Sequence, residues 1–157
     1  MQTSLSLAVD WRALGFDALT VHQLYALLRL RSEIFVVEQR CAYLDPDGKD
    51  LHPQALHLLG YDGDTLAASA RILPPGLGYD GPSIGRVVVA ATHRGTGLGH
   101  GLMREALNQL FLRWPGSEVQ LGAQAHLADF YAAHGFSVAS PVYDEDGIPH
   151  VTMRRPA

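Results

Sequence analysis

Apolar residues recur along this chain with two different periods, and the changes of period mark out its elements. Leu5, Leu7, Val9 and Trp11 alternate with Ser6, Ala8 and Asp10, the two-residue period of a half-buried first strand. Thr20 stands three residues before Gln23, the spacing of a capping box, and Leu24, Leu27 and Leu28 follow at helical spacing. The pattern carries that helix on toward Ile34 and Phe35, and Leu44 to Pro53, rich in Asp, Pro and Gly, reads as a loop. Two strands are expected next, at Ala55–Tyr61 and Thr65–Leu73, joined at Asp62-Gly63, a hairpin dipeptide. After a turn-rich stretch from Pro74 to Pro82, Ile84–Val89 is apolar and β-branched apart from Gly85 and Arg86, which predicts a central strand.

A glycine-rich loop follows, then a helix with Leu98, Leu102 and Ala106 on one face, stopped by Pro115-Gly116. Val119–Ala123 reads as a fifth strand and Ala125–His134 as a short helix closed by Gly135. Two last strands, near Phe136–Tyr143 and Ile148–Arg154, flank the turn dipeptide Asp146-Gly147. The predicted order is β-α-β-β-β-α-β-α-β-β, a single α/β domain with a mixed sheet flanked by helices.

Composition removes several classes of function. A chain of 157 residues suits one domain over residues 1–157 and needs no disulfide or structural metal to fold. The formal charge is −4 and Lys49 is the sole lysine, so the basic stripe of a nucleic-acid-binding surface is missing. Cys41, the one cysteine, excludes an internal disulfide and reads as a buried small residue. The first residues lack a secretory pattern and no apolar run is long enough to span a bilayer, which makes the cytoplasm the expected location.

The chemistry concentrates where Val87, Val88 and Val89 run into Arg94-Gly95-Thr96-Gly97-Leu98-Gly99-His100. Glycines let backbone N–H groups approach a ligand closely, and a helix N-terminus adds unpaired donors and the positive end of a dipole. Together they make an anion site suited to phosphate. The P-loop pattern is absent, and His100 stands where a dinucleotide fingerprint needs its third glycine.

The pattern Arg-x-x-Gly-x-Gly at Arg94, Gly97 and Gly99 resembles the pyrophosphate loop of the GNAT N-acetyltransferase family. Gln124 to Tyr131, followed by His134-Gly135-Phe136, resembles that family's second coenzyme A segment, with Gln124 where many members carry Asn. Four segments are similar to its ElaA-like subfamily: Ile34 to Tyr43, Ile84 to Val87, Leu121 to Leu127 and Glu145 to His150. The resemblance implies acetyl-CoA as co-substrate, an amine acceptor in a small molecule, peptide or protein, and no nucleic-acid or membrane partner. It implies a pantetheine arm along Val87–Val89, pyrophosphate on Arg94 to His100, and further contacts from Gln124 and Phe130. Dimerisation rests on family analogy alone.

The same resemblance makes Tyr131 the acid that protonates the leaving thiolate. A base is needed as well, because free amines are mostly protonated at neutral pH. Glu38, with a carboxylate raised by partial burial, His57 and His150 are the candidates. The acids around Asp45 and Asp50 are expected to draw a cationic amine toward the pocket. Neither they nor Asp144-Glu145-Asp146-Gly147 has the ligand spacing of a metal site. Two other readings remain open: a module that senses acyl-CoA without turning it over, and an enzyme for another acyl donor.

Overall fold

The computed structural model describes residues 8–157. Leu5 and Leu7, half of the expected first strand, lie outside those residues. Pairing begins at β1, Asp10–Leu14, and Val9 and Trp11 pack against the core. The Thr20 hydroxyl accepts from the Gln23 amide at 3.0 Å and the Gln23 side chain accepts from the Thr20 amide at 2.9 Å. This reciprocal cap starts α1, Val21–Arg31. From Ser32 to Glu38 the helix widens into π-type turns, with Gln39 and Cys41 donating five residues back to Ile34 and Val36. The helix therefore continues past Phe35, but with a changed pitch.

Strands β2 (Leu56–Asp62) and β3 (Thr65–Leu73) form the expected hairpin, with Gly63 at φ +60° in the turn. β4 spans Ser83–Val89, α2 Leu98–Arg113, β5 Val119–Gln124 and α3 Ala128–Ala132. The expected strand Phe136–Tyr143 is two short pieces, β6 (Ser137–Val138) and β7 (Tyr143–Glu145). Pro141, which lacks an N–H for a ladder, lies between them. β8, Ile148–Arg155, closes the chain after a turn with Asp146 at φ +53° and Gly147 at +82°.

One eight-stranded sheet results, in the order β1-β2-β3-β4-β5-β8-β6, with β7 also on β8. All pairings are antiparallel except β4 with β5. Helix α1 covers one face, where Leu27, Leu30 and Ile34 meet Leu59, Leu66 and Val88. Helix α2 covers the other, with Leu102, Met103 and Leu110 fully buried against Leu58, Ile72, Leu121 and Met153. A side chain of this size contributes about 1.5–3 kcal/mol when removed from water, so these two layers hold the sheet between them.

Two irregularities position that site. β4 pairs with β5 only at Ser83 and Gln120, after which the two strands part. On its other edge β4 bulges. Ser69 faces Val88 and Arg71 faces Gly85, so Arg86 and Val87 share the single partner Ala70.

Candidate active site

The parting of β4 from β5 opens a cleft of about 720 Å³ through the middle of the sheet. Its walls come from the π-helical turns, β4, the start of α2, β5, α3 and the β7–β8 hairpin. Ala90 donates to Ala67 on the β3 side at 2.8 Å. By the alternation of an antiparallel strand, the amides of Val89 and Val87 turn toward the gap, while the Val88 side chain is buried beneath α1. An extended ligand would find a free strand edge there.

At one end of the cleft stands the glycine loop. Gly95 and Gly97 have φ of +75° and +80°, a region that favours glycine, and with Thr96 they form an exposed turn at the rim. Thr96 Oγ1 donates to the His93 carbonyl at 2.6 Å, and Gly101 N–H goes to the Gly97 carbonyl. Gly99 and His100 then keep first-turn amides free for an anion. A Cβ on Gly99 would stand 3.3 Å from the Phe130 ring, so glycine at that position lets the first turn of α2 and the α3 segment meet without either giving way. Arg94, Gly99, Gln124 and Phe130 all face the cleft.

Two of the loop residues offer the cleft backbone and not side chain. The Leu98 side chain is buried in the core, so only its backbone is at the loop surface. The His100 ring turns away from the cleft, stacks near Phe130 and shares a hydrogen bond with His134 Nε2 at 2.8 Å.

Tyr131 lines the cleft and is otherwise buried, 6% exposed. Burial pushes its phenol up to about 12, so it keeps its proton throughout the neutral range. His150, which also lines the cleft, donates from Nδ1 to the Ile148 carbonyl at 2.8 Å and stacks on Tyr143. Its Nε2 lies 3.2 Å from a Glu145 carboxylate oxygen. The Tyr143 and Tyr79 hydroxyls meet over Gly122, where a Cβ would come within 3.2 and 3.3 Å of them.

The other two candidate bases are placed differently. Both carboxylate oxygens of Glu38 are held by the Arg94 guanidinium, an exposed two-point pair. The Arg94 hydrogen bonds lower the Glu38 carboxyl from its ordinary value instead of raising it, since a cation favours the charged form. His57 is buried under α1, in a small apolar cavity with Phe16, Leu24 and Leu27. It bonds the Asp50 carbonyl at 3.1 Å, and burial lowers its basicity. It does not reach the cleft.

Nor do the loop acids stand free to attract a cation. Asp45, Asp47 and Asp50 alternate with Arg31, Arg71 and Arg86 in a closed ring. Arg31 bridges Asp45 and Asp50 at 2.7 and 2.9 Å, and Arg71 bridges Asp50 and Asp47 at 3.1 and 2.8 Å. Arg86 completes it to Asp47 and Asp45 at 3.3 and 2.9 Å. Burial opposes ionisation of Asp47, but the Arg71 hydrogen bonds and charge outweigh it and hold the carboxyl at about 2. Asp50 is lowered in the same way, by Arg31 and then Arg71.

Cys41 is the expected buried residue. Its thiol donates to the Asp146 carbonyl at 3.2 Å, and burial, then the Asp146 and Asp144 charges, push it up. Among the described residues no group of three or more His, Cys, Asp or Glu side chains could hold a metal ion. Also among them, no helix is long and apolar enough to cross a membrane.

A split central sheet, a glycine turn at the head of a helix and a tyrosine facing both define an acyltransferase fold, and the chain belongs to the GNAT acetyltransferase family. The family model described as the acetyltransferase (GNAT) domain matches residues 49–156. The chain is 47% identical to the protein ElaA of Escherichia coli over 94% of its own length and 96% of that protein's. The ElaA crystal structure superposes with a TM-score of 0.89, covering 94% of this chain and 99% of that one. An acyl-CoA N-acyltransferase from Pseudomonas aeruginosa, 44% identical, superposes at 0.90 over 94% and 99% of the two chains. The ElaA-like resemblance read from the sequence thus extends over nearly the whole chain.

Sequence reasoning passed over Tyr79, Tyr143, Lys49 and Gln39, which also line the cleft, and gave no role to Arg71 and Arg86. Arg86 carried the one available signal: a charged residue in an otherwise apolar, β-branched strand.

Proposed function

We propose that this chain is a cytoplasmic N-acetyltransferase that moves the acetyl group of acetyl-CoA to a primary amine by direct attack on the thioester. The observation that carries the reading is the gap between β4 and β5, bordered by the glycine turn at one end and Tyr131 within. It offers what an extended thiol ester with a diphosphate needs: a free strand edge at Val87–Val89 and anion donors at Gly99 and His100. Arg94, Gln124 and Phe130 flank the two.

The Val89 amide faces the position where negative charge develops on the thioester oxygen, and a fixed donor there favours the tetrahedral state. As the amine nitrogen bonds to the carbonyl carbon and the C–S bond breaks, the thiolate takes its proton from Tyr131. His150 is the proposed base. Its Nδ1 proton is fixed on the Ile148 carbonyl, which leaves Nε2 to accept the amine proton, with the Glu145 carboxylate beside it. Glu38 has no part in proton transfer, because Arg94 occupies it. A homodimer belongs to the same reading on family analogy, and the sedimentation coefficient of the purified chain checks it.

The test is calorimetric titration with acetyl-CoA, with NADH and ATP as controls. Micromolar acetyl-CoA binding with silent controls is expected, followed by CoA release in the presence of an amine panel. Absence of acetyl-CoA binding removes the proposal. Binding without CoA release from any amine returns the chain to the sensing role.

A further inference from the structure

The end of the cleft beyond Tyr131 has two walls of different charge. One is the rim of the arginine–aspartate ring together with Lys49, and the other is the β7–β8 hairpin with Glu145 and Asp146. In the ring every aspartate is already engaged, so its carboxylates cannot serve a cationic ligand. The guanidinium donors are not all engaged. Arg86 Nη2 donates to the Asp45 carbonyl at 3.1 Å and to Asp47 at 3.3 Å. Its Nε lies 2.9 Å from Asp45 without the alignment of a hydrogen bond. Its Nη1 has no partner among the described residues, and the side chain is 24% exposed toward the cleft. Lys49 also faces the cleft, and among the described residues its ammonium has no ion pair.

The backbone shows that Arg86 is held there against its preference. It sits at φ +50° inside a strand, a conformation that residues with a Cβ rarely adopt, at the β4 bulge. The bulge aims its guanidinium into the cleft, where Tyr43 stacks on it at 5.5 Å. Free donors on this wall face carboxylates on the other, where Glu145 flanks His150.

We infer that the acceptor is an amine that carries its own carboxylate, as a free amino acid does. The carboxylate lies against Arg86 and Lys49, and the amine lies toward His150 under the hairpin acids. A polyamine would set a second cation against Lys49 and Arg86, which like-charge repulsion disfavours. The position of the amine rests on the acetyltransferase reading; the carboxylate site does not.

The experiment titrates free amino acids, each paired with its own amide, into the protein saturated with CoA, and repeats the series without CoA. At least one acid is expected to bind tenfold or more tightly than its amide. In Lys49→Gln, which lies outside the ring and leaves its pairs intact, that preference is expected to narrow at least threefold. In Arg86→Gln it is expected to disappear. If no acid outbinds its amide, or if the preference survives Lys49→Gln unchanged, the inference is wrong. If CoA and acetyl-CoA fail to bind while an acid still outbinds its amide, the carboxylate site stands and the acetyltransferase reading falls.

Discussion

The two ends of the cleft are built in opposite ways. At the glycine-loop end, Val87 to Gly99 are contiguous in the chain, and the geometry comes from backbone: two left-handed glycines, a helix start and a free strand edge. At the other end, side chains from the loop near Asp47, from β3, β4 and the β7–β8 hairpin converge from distant points of the sequence. Backbone recognition suits a ligand part that never changes. Side-chain recognition can be altered one residue at a time without disturbing the loop.

Substitutions can break this contrast. The largest effect is expected at Asp50→Asn, which leaves Arg31 and Arg71 buried without their shared carboxylate. Loss of one partner from such a buried set costs roughly 3 kcal/mol, read as a lower denaturant midpoint. Next, Tyr131→Phe should lower turnover about 100-fold while acetyl-CoA affinity, by calorimetry, stays within about twofold. Gly97→Val should weaken acetyl-CoA about tenfold, because a β-branched residue cannot hold φ +80° at the turn, while the circular dichroism spectrum is retained. The smallest change is expected at Glu38→Gln. It frees Arg94, so acetyl-CoA should bind no more weakly than to the parent, with turnover changed less than about threefold. A large loss of turnover there would restore Glu38 as a base.

Acidity sharpens the contrast further. The depressed carboxyls of Asp47 and Asp50 contribute stability that is present above the ordinary aspartate range, near 4, and is lost as pH falls through their lowered values, about 2 for Asp47. Acid unfolding should therefore begin from the ring, and Asp50→Asn should flatten that limb. Tyr131 works in the other direction. Its raised phenol contributes stability below about 10 that is lost as pH rises toward about 12. Its ionisation should leave no alkaline limb in the rate profile below about pH 10.

How much of this was legible in the sequence follows the same division. The Thr20 cap, the Asp62-Gly63 and Asp146-Gly147 turns, the central β4 and the glycine loop are local patterns, and each appears where the spacing put it. The π-type turns were not legible. Ser32 to Glu38 keeps a helical hydrophobic pattern, and no residue in it marks the change to hydrogen bonds that reach five residues back. The split of Phe136–Tyr143 was readable in Pro141, but alternation on either side concealed it. Among the candidate bases, neither Glu38 nor His57 could be sorted from the sequence, because Arg94 and the α1 residues that enclose His57 are long-range neighbours. The acids at Asp45 to Asp50 misled for the same reason: their three arginines stand 14 to 41 residues away.

The parting of β4 from β5 has a consequence for how the molecule behaves when empty and when filled. With one residue pair bridging the strands, the sheet has a seam, and cohesion across it falls to the apolar core beneath. A pantetheine arm lying in the seam would supply the missing rungs, so the ligand becomes part of the sheet's hydrogen-bond ladder. If acetyl-CoA fills the seam as proposed, mass action raises the stability of the fold, by about 2.7 kcal/mol at a hundredfold excess over Kd. Amide exchange at Val87 and Val89 should then slow when the seam is filled and quicken again when the ligand is withdrawn.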